Sequence, residues 1–172
     1  MIRLLSCILC VAWLQQPSRP PDVMFIPSSD AVMGAMFTLA SVGPRDVVYD
    51  LGCGDGRVVI AAAKRFGARG VGVDIDPALI VEANANARRA GVSGRVRFVV
   101  GDVFSDAVPI GDATVVALYL LPSLNARLRP KLMRDLRPGT RIVSNSFSMG
   151  AAWPPERTAQ AGDHWVYFWT IK

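Results

Sequence analysis

The chain has 172 residues, with 19 Lys and Arg against 14 Asp and Glu, three Cys and one His. That length suits one domain with a substantial core, and so few cysteines and histidines exclude a disulfide framework and leave little from which to build a metal centre. The net charge of +5 and isoelectric point near 9.6 admit an anionic partner, but Arg88, Arg89, Arg95, Arg97, Arg127, Arg129, Arg134, Arg137 and Arg141 are scattered, so nucleic acid is not the expected one.

Arg3, an apolar run from Leu4 to Leu14 and the polar, proline-rich Gln15 to Pro21 have the layout of a signal peptide or membrane anchor, setting residues 1–21 apart from a domain at 22–172. The run, about eleven residues, is short for a bilayer span. Cys7 and Cys10 stand inside it with no second pair, as small hydrophobes rather than ligands. Ser29 or Asp30 can cap a first helix that runs through Ala40 and stops at Gly43 and Pro44. Strand Asp46–Asp50 then leads through a glycine turn into helix Gly56–Phe66, and strand Gly70–Asp74 into helix Ala78–Ala90, with Asp76 and Pro77 at its start and Gly91 at its close. Strand Val96–Val100, strand Ala113–Tyr119 and a helical segment Ser123–Leu136 follow, and Pro130 should break that segment or split it in two. Thr140–Ser146 reads as a fifth strand, and Glu156–Ala161 and His164–Ile171 as a hairpin across Gly162-Asp163. The alternation predicts an α/β fold of Rossmann-like, doubly wound type: a mostly parallel sheet with a C-terminal antiparallel hairpin and helices on both faces.

The glycine turn carries the chemistry. Asp50-Leu-Gly52-Cys-Gly54-Asp-Gly56-Arg57 sits where a buried strand must become a helix, glycine lets backbone approach a ligand closely, and free N–H groups at a helix start attract polar groups. The dinucleotide fingerprint fails, because Arg57 stands where its third glycine belongs. A turn with its own carboxylate, Asp50, suits a ligand bearing an ammonium group. Asp74, 18 residues after Gly56, ends strand two where an acidic side chain can hold a ribose diol; capping the next helix is the rival role, for which Asp76 is better placed.

These motifs, with Gly72-Val-Asp74-Ile75-Asp76-Pro77, then Gly101-Asp102-Val103-Phe104, then the apolar run Thr114 to Leu121 ending in Pro122, resemble the class I S-adenosylmethionine (SAM) dependent methyltransferases. The resemblance implies SAM as cofactor, with Asp50 near its amino group, Gly52 and Gly54 under its backbone approach, Asp74 on the ribose, Ile75 against adenine, and Asp102 and Val103 at the adenine amine. A turn-forming role is the alternative for Asp102. The segment after strand four lacks the Asn/Asp-Pro-Pro-Tyr of base-amine methyltransferases.

Phe25-Ile26-Pro27-Ser28, Asp55-Gly56-Arg57, Leu120-Leu121-Pro122-Ser123 and Arg141-Ile142-Val143-Ser144 instead resemble the small protein-lysine methyltransferases of archaea and mitochondria, including the type that acts on the c-subunit of ATP synthase. This implies a protein lysine as acceptor, enclosed by Tyr119, Pro122, Pro27 and Ser28. Tyr119 is equally an ordinary strand residue. Ser29, Asn145 and Ser148 depart from that family's pattern and bear on acceptor choice. A small-molecule or RNA methyltransferase and a SAM-binding protein without activity are the alternatives. His164, in the terminal hairpin, is expected to be structural or exposed. SAM is cytosolic, so the leader is expected to associate the protein with a membrane while the domain faces the cytosol.

Overall fold

The computed structural model describes residues 19–172. The apolar run Leu4–Leu14 and the Cys7/Cys10 pair of the expected leader lie outside the described residues. The elements are α1 (Asp30–Leu39), β1 (Val47–Leu51), α2 (Arg57–Phe66), β2 (Arg69–Asp74), α3 (Pro77–Arg89), β3 (Val96–Val100), β4 (Val115–Leu118), α4 (Pro122–Asp135), β5 (Arg141–Asn145), β6 (Arg157–Ala161) and β7 (His164–Thr170).

The seven strands form one sheet in the order β3-β2-β1-β4-β5-β7-β6. β1 to β5 run parallel, and β7 lies antiparallel between β5 and β6. The strand order reverses between β1 and β4, and in such folds ligands bind at the carboxyl edge beside that reversal. All five β1 residues and all four β4 residues are buried, as expected of parallel strands covered on both faces. One core layer packs α1, α2 and α3 on the sheet through Val32, Met36, Val59, Ala62 and Ala87. The other packs α4 and the segment before β4 through Leu128, Leu132, Ile110 and Trp169. Each fully buried Val, Leu, Ile or Met side chain there stabilises by about 1.5–3 kcal/mol.

Local signals explain the boundaries. Ser29 caps α1 by accepting from the Val32 N–H at 3.3 Å. Asp76 caps α3 by accepting from the Ala78 N–H at 2.8 Å, with Pro77 at the first helical position. Gly162, φ +61°, opens the β6–β7 turn, a first central position that only glycine fills without strain.

Pro130 does not break its helix: α4 runs continuously from Pro122 to Asp135 with Pro130 inside it. Asn125, Leu128, Lys131 and Leu132 bury one continuous face on either side of it, while Pro130 and Ala126, whose carbonyl would have received the missing N–H, are exposed. Water can serve that carbonyl, and the apolar stripe holds the axis. The proline still removes a backbone bond. Pro130→Ala is expected to raise unfolding free energy by about 1–2 kcal/mol, the helix cost of proline less the unfolded-state entropy it removes; urea unfolding of the two chains measures it, and no gain would mean that α4 is already relaxed around the ring.

Candidate active site

The carboxyl ends of β1, β2, β3 and β4 open on a cavity of about 630 Å³, lined among others by Ser28, Asp50, Gly52, Asp74, Ile75, Asp102, Val103 and Tyr119. Its far wall is the segment before α1, including Phe25 and Ile26.

Asp50, near the end of β1, is almost wholly buried, and burial, followed by the nearby Asp74 and Asp55 carboxylates, pushes its carboxyl well above the ordinary range. No side-chain hydrogen bond or salt bridge reaches it among the described residues, so it lines the cavity with no protein cation beside it. The same burial, with Asp50 close by, pushes the Cys53 thiol up, making it a packing residue rather than a nucleophile.

Asp74 is pinned at both oxygens: Oδ2 accepts from the Gly54 N–H at 2.8 Å and Oδ1 from the Asp76 N–H at 3.0 Å. It joins the glycine turn to the start of α3 and keeps its remaining lone pairs on the cavity side. Asp102 Oδ1 accepts from the Phe104 N–H at 3.0 Å, the turn bond of its alternative role. Both of its oxygens also accept from Arg19, at 2.8 and 3.2 Å. That contact, more than any other cause, lowers the Asp102 carboxyl below its ordinary value. Arg19 belongs to the expected leader, yet it packs on the domain.

Gly54, φ +52°, does not line the cavity directly. The Phe25 ring covers it, and a Cβ there would stand 2.0 Å from that ring. Gly56, φ +79°, opens α2 in a left-handed conformation, and a Cβ on it would strike Phe98 and Ala83. Arg57 bridges the pieces, bonding the Asp55 carboxylate at 2.7 Å and the Ser28 carbonyl at 3.2 Å. The Asp55-Gly56-Arg57 motif thus clamps the segment before α1 onto the glycine turn.

The expected acceptor residues divide. Ser28 and Tyr119 line the cavity, whereas Pro27 and Pro122 are exposed and do not; Pro122 is the first residue of α4. What sequence reasoning missed lies beyond Tyr119. Its ring stacks on Phe147 at 6.0 Å and meets the His164 ring edge-on at 6.4 Å. Asn125 of α4 donates to the Phe147 carbonyl at 3.2 Å, fixing that loop. Asn145 donates to Ser28 Oγ at 3.2 Å, linking β5 to the cavity wall.

This architecture is shared with known proteins. A model of the ANTKMT methyltransferase domain matches residues 50–157. The chain belongs to that methyltransferase family. It is 43% identical over 159 residues to a protein-lysine N-methyltransferase of Saccharolobus islandicus, covering 90% of this chain and 97% of the relative. It is 34% identical over 125 residues to the mouse (Mus musculus) lysine N-methyltransferase named for the c-subunit of ATP synthase, covering 72% of this chain and 49% of the relative. Among solved structures, an RNA methyltransferase of Salinibacter ruber in complex with S-adenosyl-L-homocysteine is 51% identical with a TM-score of 0.82, covering 85% of this chain and 94% of that one. The expected seven-strand methyltransferase fold is the observed one.

The raised Asp50 carboxyl has a consequence for stability. Between the unfolded value, about 3.9, and the folded value, the native chain holds a proton that the unfolded chain has released, so stability falls as pH rises across that window. Thermal unfolding of the ligand-free protein from about pH 4 upward should show the decline, and Asp50→Asn should flatten it. An unchanged slope in the variant would assign the decline to another group.

Proposed function

We propose that this protein transfers the methyl group of SAM to the ε-amine of a lysine in a protein. That it is a SAM-dependent methyltransferase rests on the family match and on the donor set of the cavity. Asp50 offers the SAM ammonium a buried carboxyl that ionises against it, Asp74 keeps free lone pairs for a ribose diol, and Asp102 and Ile75 stand where the adenine would lie. The lysine acceptor is carried by the similarity to the Saccharolobus enzyme along nearly its whole length.

SAM supplies a methyl on a sulfonium, which an amine lone pair takes while the carbon–sulfur pair stays on sulfur. A free lysine, with a pKa near 10.4, needs roughly 4–5 kcal/mol to expose that lone pair at neutral pH. Burial beside a cation lowers the cost, and Tyr119, held by Phe147 and His164, provides a rigid wall that aligns the incoming side chain. Alignment is the larger part of the chain's work, since an ångström of misplacement costs about a hundredfold.

A second reading, methyl transfer to RNA, has its own support in the Salinibacter structure and in the net charge of +5. Labelled SAM with lysate from the source cell, followed by mass spectrometry of the labelled residue, separates the two. Methyl-lysine, lost when the acceptor's lysines are replaced, supports the proposal; label confined to RNA overturns it. Tyr119→Ala is expected to lower lysine methylation about a hundredfold and leave SAM affinity by calorimetry unchanged. Asp50→Asn should instead weaken SAM binding about tenfold to a hundredfold, the scale of about 1.5–3 kcal/mol for a hydrogen bond to a charged group.

A further inference from the structure

His164 is the only histidine of the chain, and the structure seats its Nδ1 in a network of Asn145, Ser146 and Ser28. Asn145 Nδ2 donates to Ser28 Oγ, which leaves Asn145 Oδ1 as an acceptor facing the other way. Ser146 Oγ lies 2.8 Å from that Oδ1 and spends its one hydrogen on it. His164 Nδ1 then lies 2.7 Å from Ser146 Oγ and 3.2 Å from Asn145 Oδ1, two oxygens that both present lone pairs. A hydrogen on Nδ1 satisfies both oxygens, and it leaves the lone pair on Nε2. Nε2 has no partner among the described residues.

The backbone is arranged to keep this geometry. Ser146 holds a left-handed conformation, φ +61°, unusual for a residue with a side chain. Its N–H is locked to the Trp165 carbonyl at 2.7 Å, which aims the hydroxyl at the first residue of β7. Strain kept at one residue and directed at one histidine points to a use for that histidine.

The neighbours say what the use is. His164 meets Tyr119 edge-on, and Tyr119 lines the cavity; the network that orients the ring begins at Ser28 on the same wall. We propose that His164 Nε2 is the proton acceptor for the incoming lysine ammonium, its ring set edge-on against Tyr119. The step balances: an N–H bond of the ammonium breaks and leaves its electron pair on the amine nitrogen, an N–H bond forms at Nε2, and the imidazolium later returns that proton to solvent. Asn145 and Ser146 are positioning residues that act through the ring. The titratable group packed against His164 is the Tyr119 phenol; β5 presents the neutral Asn145 and Ser146, β6 pairs it with Ala161, and the adjoining turn carries the exposed Asp163. The inference rests on the lysine reading above.

Two measurements test it. In the ¹⁵N-labelled full chain, the single histidine gives one imidazole pair, and the Nδ1–H tautomer is expected; an Nε2–H tautomer overturns the proposal. His164→Asn keeps a donor near the Nδ1 position and removes the base. It should lower kcat for lysine methylation about a hundredfold at neutral pH, the lower end of general-base contributions, with SAM affinity and melting temperature unchanged. The deficit should shrink severalfold or more toward pH 9.5, where bulk solvent increasingly deprotonates the lysine itself. A variant as fast as wild type, or a deficit equal at every pH, overturns the proposal while methyl-lysine formed by the wild type leaves the lysine reading standing. A wild type that forms no methyl-lysine overturns both.

Discussion

The site depends on a carboxylate that the fold buries without a partner. Asp50 is the fourth residue of a wholly buried strand, so its side chain cannot swing to water, and two further acids, Asp74 and Asp55, stand close enough to disfavour its charge. Three neighbouring acids are costly in a ligand-free protein, and two of them are compensated locally. Asp74 takes two backbone N–H groups, and Asp55 takes the Arg57 guanidinium. Asp50 alone is left uncompensated, facing the cavity.

Around that point the chain builds its enclosure from segments far apart in sequence. The turn after β1 supplies the floor, the segment before α1 folds back to supply an aromatic cover through Phe25, and Arg57 ties the two together. On the far side β4, β5 and β7 bring Tyr119, Asn145, Ser146 and His164 into one cluster. The antiparallel insertion of β7 between β5 and β6 places the start of β7 beside the exits of β4 and β5, so a histidine from the C-terminal hairpin reaches the same edge as the glycine turn.

Most of the architecture is legible in the residues, because buried strands, caps and glycine stops leave local marks; β3 runs over the expected residues and the other strands lie within two residues of expectation. The acids of the cavity wall are legible for the same reason, Asp50 and Asp74 lying in the last two residues of their strands and Asp102 just past the end of β3. Pro130 misleads because its local penalty is overridden by an apolar stripe on both sides of it. His164 gives no sign of its place because nothing in a hairpin sequence says which strand it lands beside. Pro27 and Pro122 carry a family motif yet stand outside the cavity: prolines fix backbone direction, and the nearby Ser28 and Leu124 are what line it. Arg19 gives no signal at all, since its partner Asp102 is 83 residues away.

The two bonds made by Asp74 have a consequence for how this protein can be dissected. One carboxylate is at once a wall of the cavity and the clip that holds the glycine turn against the start of α3. Any replacement there, even one as conservative as asparagine, alters backbone satisfaction in two loops together with one wall of the cavity. Position 74 is therefore a poor choice for an inactive control, because a chain disabled there is not the same folded object minus one contact. The division of labour makes Asp50, which holds no part of the backbone, the position where the cavity wall can be changed and the scaffold kept.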